Sequence, residues 1–228
     1  MIQLIIFDFD DTLTDNMTLD YNAFKIPCTK LGLKPPTKNM IIHERKKGLL
    51  ASEIMQKFLK SQNKNQLNNF LINRKKFLDT ENSLNYLRLK KGTRQFLEFL
   101  KTKKVKIIIC TARKNKRFFL NFLKNRKVYT YFSSIYHSED INLFLDNLEK
   151  QNRIQIKNNL IKEIIKNEKV NSSEILYVGN SIEDLTVAEE LDIDFIYFQN
   201  SYLEKLDNSD VLTVTSMNIL KKEIERLI

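Results

Sequence analysis

Two aspartates follow an apolar run near the N-terminus. The run Leu4–Phe7 is followed by Asp8, Phe9 and Asp10. If the run is a buried parallel strand, both carboxylates lie beyond its carboxyl end, where open α/β sheets bind ligands. Carboxylates this close repel each other unless a cation neutralises them, and Mg²⁺ prefers such oxygen ligands. The pair therefore predicts a Mg²⁺ site, although an acidic loop that caps a helix is an alternative.

A second apolar run, Val105–Cys110, ends at Thr111 and Ala112. A hydroxyl group and free backbone amides at the start of a helix bind phosphate oxygens well. This turn is therefore a candidate phosphate-binding element. The alternative is that Thr111 only caps the following helix.

A third run, Ile175–Val178, leads into a turn rich in polar residues. Gly179 allows a sharp turn, and Asn180 and Asp184 follow it. Both side chains can project back toward the first carboxylates, so both are candidate metal ligands. The alternative is an ordinary strand-to-helix turn with Ser181 as its cap.

An anionic nucleophile that attacks a phosphate needs a positive charge nearby. Lys157 precedes a predicted helix, 159–166, that leads into the third run. We favour Lys157 as this cation, with Lys162 as its competitor.

The elements that position these residues alternate between strands and helices. Apolar runs predict buried strands, and amphipathic patterns between them predict helices. The predicted strands are 4–7, 105–110, 132–136, 175–178, 195–198 and 211–214, and the predicted helices are 93–100, 116–123, 159–166, 183–191 and 217–227. This alternation predicts a Rossmann-like α/β fold with a doubly wound parallel sheet.

The segment between the first two long strands has a different character. Residues 16–90 show successive helical patterns and no convincing strand, and a crossover connection rarely needs so many residues. We therefore predict an all-helical cap domain at 16–90, inserted into a catalytic core of residues 1–15 and 91–228.

Bulk properties narrow the functional class. No apolar stretch is long enough to span a membrane, and the two cysteines indicate no disulfide framework, as in a reducing compartment. We therefore expect a cytoplasmic protein. The net charge is +10, but the lysines are spread along the chain, so nucleic-acid binding is not favoured.

Taken together, these motifs resemble the four-motif pattern of the haloacid dehalogenase superfamily in their order and strand contexts. The matching residues are Asp8-Phe9-Asp10-Asp11-Thr12-Leu13, Thr111, Lys157 and Gly179-Asn180-Ser181-Ile182-Glu183-Asp184. The segments 89–100 and 131–140 resemble the branch of phosphoglycolate phosphatase and β-phosphoglucomutase. The superfamily usually has glycine in place of Asp11 and aspartate in place of Asn180.

The resemblance implies a phosphatase mechanism. Asp8 would become an aspartyl-phosphate, and Asp10 would act as acid and then as base. Thr111, Ala112 and Lys157 would hold the phosphate oxygens, while the cap would close over a small phosphomonoester.

The resemblance also implies the metal ligands. Mg²⁺ would contact Asp8, the backbone carbonyl of Asp10 and the side chain of Asn180 or Asp184. A phosphomutase shares all these motifs, and a catalytically weak regulatory or binding homologue is a further alternative because Asn180 brings no charge. The sequence identifies neither the substrate nor the oligomeric state.

Overall fold

The computed structural model describes residues 1–59, 64–113, 115–140 and 150–228. The chain divides into two compact units. The first comprises Met1–Thr14, Leu89–Gln199 and Asp207–Ile228, and the second comprises Asp15–Arg88 and Asn200–Leu206. Each unit has its own apolar core.

The first unit is built on a parallel sheet. The strands along the chain are β1 (Leu4–Phe7), β2 (Thr14–Asp15), β3 (Arg88–Leu89), β4 (Lys106–Thr111), β5 (Ser134–His137), β6 (Ile175–Gly179), β7 (Asp194–Phe198) and β8 (Thr213–Val214). Within the described residues, six of them form one sheet in the order β5-β4-β1-β6-β7-β8, with every recorded pair parallel. Phe7 pairs with Ile109 on β4 and with Val178 on β6, so the ends of these three strands lie at one edge.

Helices alternate with these strands, which confirms the predicted Rossmann-like fold. The helices are α1 (Met17–Lys30), α2 (Lys38–Arg45), α3 (Ala51–Leu59), α4 (Lys64–Leu78), α5 (Thr93–Thr102), α6 (Lys116–Asn125), α7 (Lys150–Glu168), α8 (Ile182–Glu190) and α9 (Met217–Leu227). Leu160 and Ile164 of α7 pack on Ile6, Ile108 and Tyr177 of the sheet. This apolar contact fixes the face of α7 that lies over the sheet.

The second unit is helical, as predicted for the insert. Helices α1–α4 bury an apolar cluster that includes Phe24, Met55 and Phe70. The prediction of no strand in this region was wrong at β3. A two-residue strand is too short to show an alternating pattern, and β3 forms because β2 pairs with it.

A partly buried ion cluster links helices of the second unit. Asp20 on α1 accepts hydrogen bonds from Arg45 Nε (2.9 Å), Arg45 Nη2 (3.0 Å) and Arg74 Nη2 (2.8 Å). Burial favours the neutral acid, but the two arginines outweigh it and lower the pKa of Asp20 to about 2.

Other sequence predictions have mixed outcomes. The predicted helix start at residue 159 was wrong, because α7 already begins at Lys150 and places Lys157 inside the helix. Residues 150–153 at its start are polar and show no apolar stripe. Both cysteines are buried free thiols. In the described part of the chain, every helix is too short or too polar to span a membrane.

Candidate active site

The first site residues follow β1, and a buried aromatic ring anchors them. Phe9 lies edge-on against Phe119 and Phe122 of α6, with ring centroids 4.6 and 5.9 Å away. Because successive side chains of an extended chain point to opposite sides, burying Phe9 turns Asp8 and Asp10 away from the α6 side. Core packing therefore explains the apolar residue between the two acids, and the chemistry of the site explains the acids on either side of it.

The turn after Asp10 requires a left-handed residue. Asp11 has a φ of 61°, and Leu13 N–H donates to the Phe9 carbonyl group at 3.1 Å to close the turn. Glycine adopts this conformation freely, whereas aspartate tolerates it at a cost. This explains how the chain accommodates aspartate where the resembling superfamily usually has glycine.

Lys157 bridges two of the predicted acids. Its ammonium group donates to Asp8 Oδ1 at 2.9 Å and to Asp184 Oδ1. All three side chains are almost completely buried. Lys162, the competitor, is exposed on the same helix. The structure therefore places Lys157, and not Lys162, beside the candidate nucleophile.

The carboxylate of Asp184 is saturated with hydrogen bonds. Its Oδ1 also accepts from the Tyr177 hydroxyl group. Its Oδ2 accepts from Asn180 N–H (3.2 Å), Ser181 N–H (3.1 Å) and Ser181 Oγ (2.7 Å). With Lys157, five donors meet a group that offers about four lone-pair sites. Ser181 also caps α8, since its side chain accepts from Asp184 N–H, so the predicted cap is present together with the candidate site.

The close approach of Asp184 to the strand end depends on Gly179. A β-carbon at Gly179 would lie 2.6 Å from both Cβ and Cγ of Asp184. Only a residue without a side chain fits there, because Asp184 is held by its donors.

Three oxygen acceptors converge beside Asp8. The side-chain oxygen of Asn180 lies 2.7 Å from the Asp10 carbonyl oxygen and 3.2 Å from Asp8 Oδ2, and turning the amide over would let its nitrogen donate to both. Thr12 Oγ1 lies 3.3 Å from Asp8 Oδ2 and 3.1 Å from Asn180 Oδ1, so its one proton can be donated to either oxygen. Hard oxygen acceptors in this arrangement suit a small divalent cation.

Only one carboxylate belongs to this set, since its other members are an amide and a backbone carbonyl group. The described residues contain no cluster of three or more His, Cys, Asp or Glu side chains arranged to hold a metal.

Asp10 has an arginine partner that the sequence did not point to. Arg113 donates from Nε to Asp10 Oδ2 at 3.1 Å and from Nη2 to Asp10 Oδ1 at 2.5 Å. Thr111, at the end of β4, accepts from Arg113 N–H at 3.2 Å. Ala112 lies between them and packs on the cluster that includes Leu160. Thr111 thus shapes the turn that brings Arg113 to Asp10.

Burial and charge control the ionisation of the site. Burial raises the pKa of Asp8 to about 7; Lys157 opposes this rise, whereas Asp184 and Asp10 add to it. Burial alone would lower the pKa of Lys157, but Asp184 and Asp8 raise it above its ordinary value. Burial also favours the neutral form of Asp184, but Lys157 and the other donors lower its pKa. The site therefore holds a charged lysine between two carboxyl groups of unequal acidity.

Hydrogen bonds link the predicted residues Asp8, Lys157, Asp184 and Asn180 into one network. Arg113 and Tyr177 were not among the predicted site residues, and Thr12 was predicted only as part of the first motif. Tyr177 lies inside the apolar run of β6, so its sequence position indicated only an ordinary strand residue. Arg113 was visible only as a cation two residues after Thr111, a signal too weak to single out among so many basic residues.

Known proteins share both the sequence pattern and the fold. The family model of haloacid dehalogenase-like hydrolases matches residues 5–198. A search of curated proteins gave no match.

Several solved structures have the same fold at low sequence identity. A haloacid dehalogenase-like family hydrolase from Streptococcus pneumoniae superposes with a TM-score of 0.72 at 18% identity, covering 97% of this chain and 98% of its own. A subfamily IA hydrolase from Geobacter sulfurreducens gives 0.74 at 16% identity, with 100% and 97% covered. A protein described as a predicted phosphoglycolate phosphatase from Haemophilus somnus gives 0.72 at 17% identity, with 97% and 98% covered. From its family match over most of its length, its parallel sheet and the acids at the end of the first strand, this chain belongs to the haloacid dehalogenase-like hydrolase family.

Proposed function

We propose that this hydrolase is a Mg²⁺-dependent phosphomonoester phosphatase that works through an aspartyl-phosphate on Asp8. The observation that supports this best is the buried ammonium group of Lys157, which contacts both Asp8 and Asp184. A charged lysine beside a buried carboxylate can stabilise the charge of a phosphoryl group that the carboxylate attacks.

The metal ligands in this proposal are Asp8 Oδ2, the Asp10 carbonyl oxygen and the side-chain oxygen of Asn180. As placed, the side-chain oxygen of Asn180 lies 2.7 Å from the Asp10 carbonyl oxygen and 3.2 Å from Asp8 Oδ2, a spacing that oxygen ligands of one cation can have. Asp184 is not a ligand in this proposal, because five donors already occupy its carboxylate. When bound, Mg²⁺ would neutralise negative charge on the nucleophile and on the phosphoryl group.

The residues divide the chemistry in two halves. In the first, a carboxylate oxygen of Asp8 forms a bond to phosphorus, and the bond to the substrate alcohol breaks as Asp10 gives that oxygen a proton. In the second, Asp10 takes a proton from water as water displaces Asp8 from phosphorus. Lys157, the Thr111 hydroxyl group and the Ala112 amide hold the non-reacting oxygens. The substrate class is a small phosphomonoester, and residues 16–90 are the cap domain in this proposal.

Phosphate release from a panel of metabolite monoesters tests the proposal. We expect turnover with Mg²⁺, none with chelator, and a loss of about 10³-fold or more in Asp8→Asn, because the amide is not a nucleophile. Asp194→Asn, an exposed acid on β7, is the matched control and should keep wild-type turnover. Release of inorganic phosphate, as opposed to an isomerised sugar phosphate, separates a phosphatase from a mutase. Turnover that survives in Asp8→Asn would refute the nucleophile.

Substitution of Lys157, with Lys162 as the control, tests whether Lys157 binds the phosphoryl group. We expect Lys157→Met to lose about 10²-fold or more in kcat/KM, in the range of a lost electrostatic contact to the transition state. Lys162→Met, in the same helix but exposed, should match the wild type. Circular dichroism must accompany the assay, since breaking a buried pair costs about 3–5 kcal/mol. A folded Lys157→Met enzyme with normal kcat/KM would contradict the assignment.

A further inference from the structure

We propose that Arg113 is a positioning residue that holds the Asp10 carboxylate for the water-activating half of the reaction. This inference rests on the proposed function and assigns a role to a residue outside the four motifs. Its basis is the two-pronged contact between the guanidinium group and both oxygens of Asp10.

The contact fixes the orientation of the Asp10 carboxylate as well as its position. Two parallel N–H···O bonds, at 3.1 and 2.5 Å, fix the plane of the carboxylate as well as its distance. The Asp10 side chain is 35% exposed and that of Arg113 is 13% exposed. Arg113 therefore fixes Asp10 from the protein side and leaves part of the carboxylate accessible to water.

Arg113 is itself fixed at its backbone. Its N–H donates to Thr111 Oγ1 at 3.2 Å, and its carbonyl oxygen accepts from Ser138 Oγ at 2.9 Å. Thr111 ends β4 and Ser138 follows β5, so two strand ends hold the residue.

The assigned step is the hydrolysis of the aspartyl-phosphate. The Asp10 carboxylate accepts a proton from water while the water oxygen forms a bond to phosphorus. The bond between phosphorus and Asp8 breaks, its electron pair returns to the Asp8 carboxylate, and inorganic phosphate leaves. A misaligned base slows this step even where substrate binding is unchanged.

Rapid-quench kinetics with p-nitrophenyl phosphate and Mg²⁺ test the role. This substrate has a good leaving group, so its first step does not need the proton of Asp10. We expect Arg113→Gln to lower steady-state kcat by about 10- to 100-fold, the range of a lost general base. It should also show a burst of p-nitrophenolate equal to the enzyme concentration, because the covalent intermediate accumulates. The exposed Arg117→Gln on α6 should show neither effect.

Two further variants make the result specific. Arg113→Lys keeps the charge but not the two-pronged geometry, so it should restore turnover only in part, and it replaces Arg113→Gln if that variant does not fold. In an Asp10→Asn background, Arg113→Gln should cause no further loss, because its effect acts through Asp10.

Results that would overturn the role of Arg113 differ from the result that would overturn the proposed function. A raised KM without a burst, or a further multiplicative loss in the Asp10→Asn background, would make Arg113 a direct phosphate ligand and overturn the inference. Normal turnover in Arg113→Gln would overturn it as well, while the proposed function would stand. Absence of turnover in the wild-type enzyme would remove both.

Discussion

Replacing Asn180 by aspartate adds a negative charge at the proposed metal site and tests it directly. The side-chain oxygen of Asn180 lies 3.2 Å from Asp8 Oδ2. At that distance, Coulomb's law with an effective dielectric constant of about 20 gives roughly 5 kcal/mol of repulsion between two carboxylates. Without a cation, the variant must bear this repulsion or relieve it.

Proton uptake by Asp8 limits the penalty, and this makes the effect depend on pH. Since burial raises the pKa of Asp8 to about 7, protonating it at pH 7 costs less than about 1 kcal/mol. At pH 9 the same protonation costs about 3 kcal/mol. The variant should therefore be almost as stable as the wild type at pH 7 and about 3 kcal/mol less stable at pH 9.

Thermal unfolding in chelator and in a Mg²⁺ titration measures both effects. For a chain of this size, the penalty corresponds to an unfolding temperature lowered by about 6–12 °C at pH 9. A bound cation offsets the repulsion, so Mg²⁺ should bind the variant about 100-fold more tightly at pH 9, which calorimetry reads independently of turnover. Asn208→Asp, in an exposed loop, is the control. If Asn180→Asp and the wild type unfold together in chelator at pH 9 and gain equally from Mg²⁺ there, Asn180 does not face the cation.

Three further predictions concern the framework of the two units. Asp11→Gly should raise the free energy of unfolding by about 1 kcal/mol in urea denaturation, because φ is 61° and glycine bears no left-handed penalty; a less stable variant would contradict the strain. Gly179→Ala should lose about 1–3 kcal/mol and most of its turnover, because its methyl group would displace Asp184; a fully active variant would show that Asp184 need not stay in place. The pKa of Asp20 is about 2, below its unfolded value. Its charged form therefore adds about 2 kcal/mol above about pH 4, and this is lost as the pH falls toward 2. Amide hydrogen exchange of α1 and α4 should show this loss of protection in the wild type and not in Asp20→Asn. If protection falls equally with pH in the two proteins, the prediction is refuted.

The parallel sheet could be predicted from the sequence because each central strand is a short run of β-branched and aromatic residues, buried on both faces. The predicted run 4–7 coincides with β1, and 195–198 differs from β7 by one residue. The start of α7 could not be predicted, because residues 150–153 are polar and the buried apolar stripe that includes Leu160 and Ile164 begins only at Ile156. Helix starts that lack an apolar contact leave no periodic signal.

The candidate site also has one part that could be predicted from the sequence and one part that could not. Residue type and position at a strand end predict that Asp8, Asn180 and Asp184 meet, because parallel strands deliver their ends to one edge. Spacing cannot decide which of the last two faces a cation, since both lie in the turn after β6. The difference lies in hydrogen-bond capacity: five donors occupy Asp184, whereas the oxygen of Asn180 faces two other acceptors. Donor directions of this kind depend on side chains from distant parts of the sequence, such as Lys157 and Tyr177, and therefore only the folded chain reveals them.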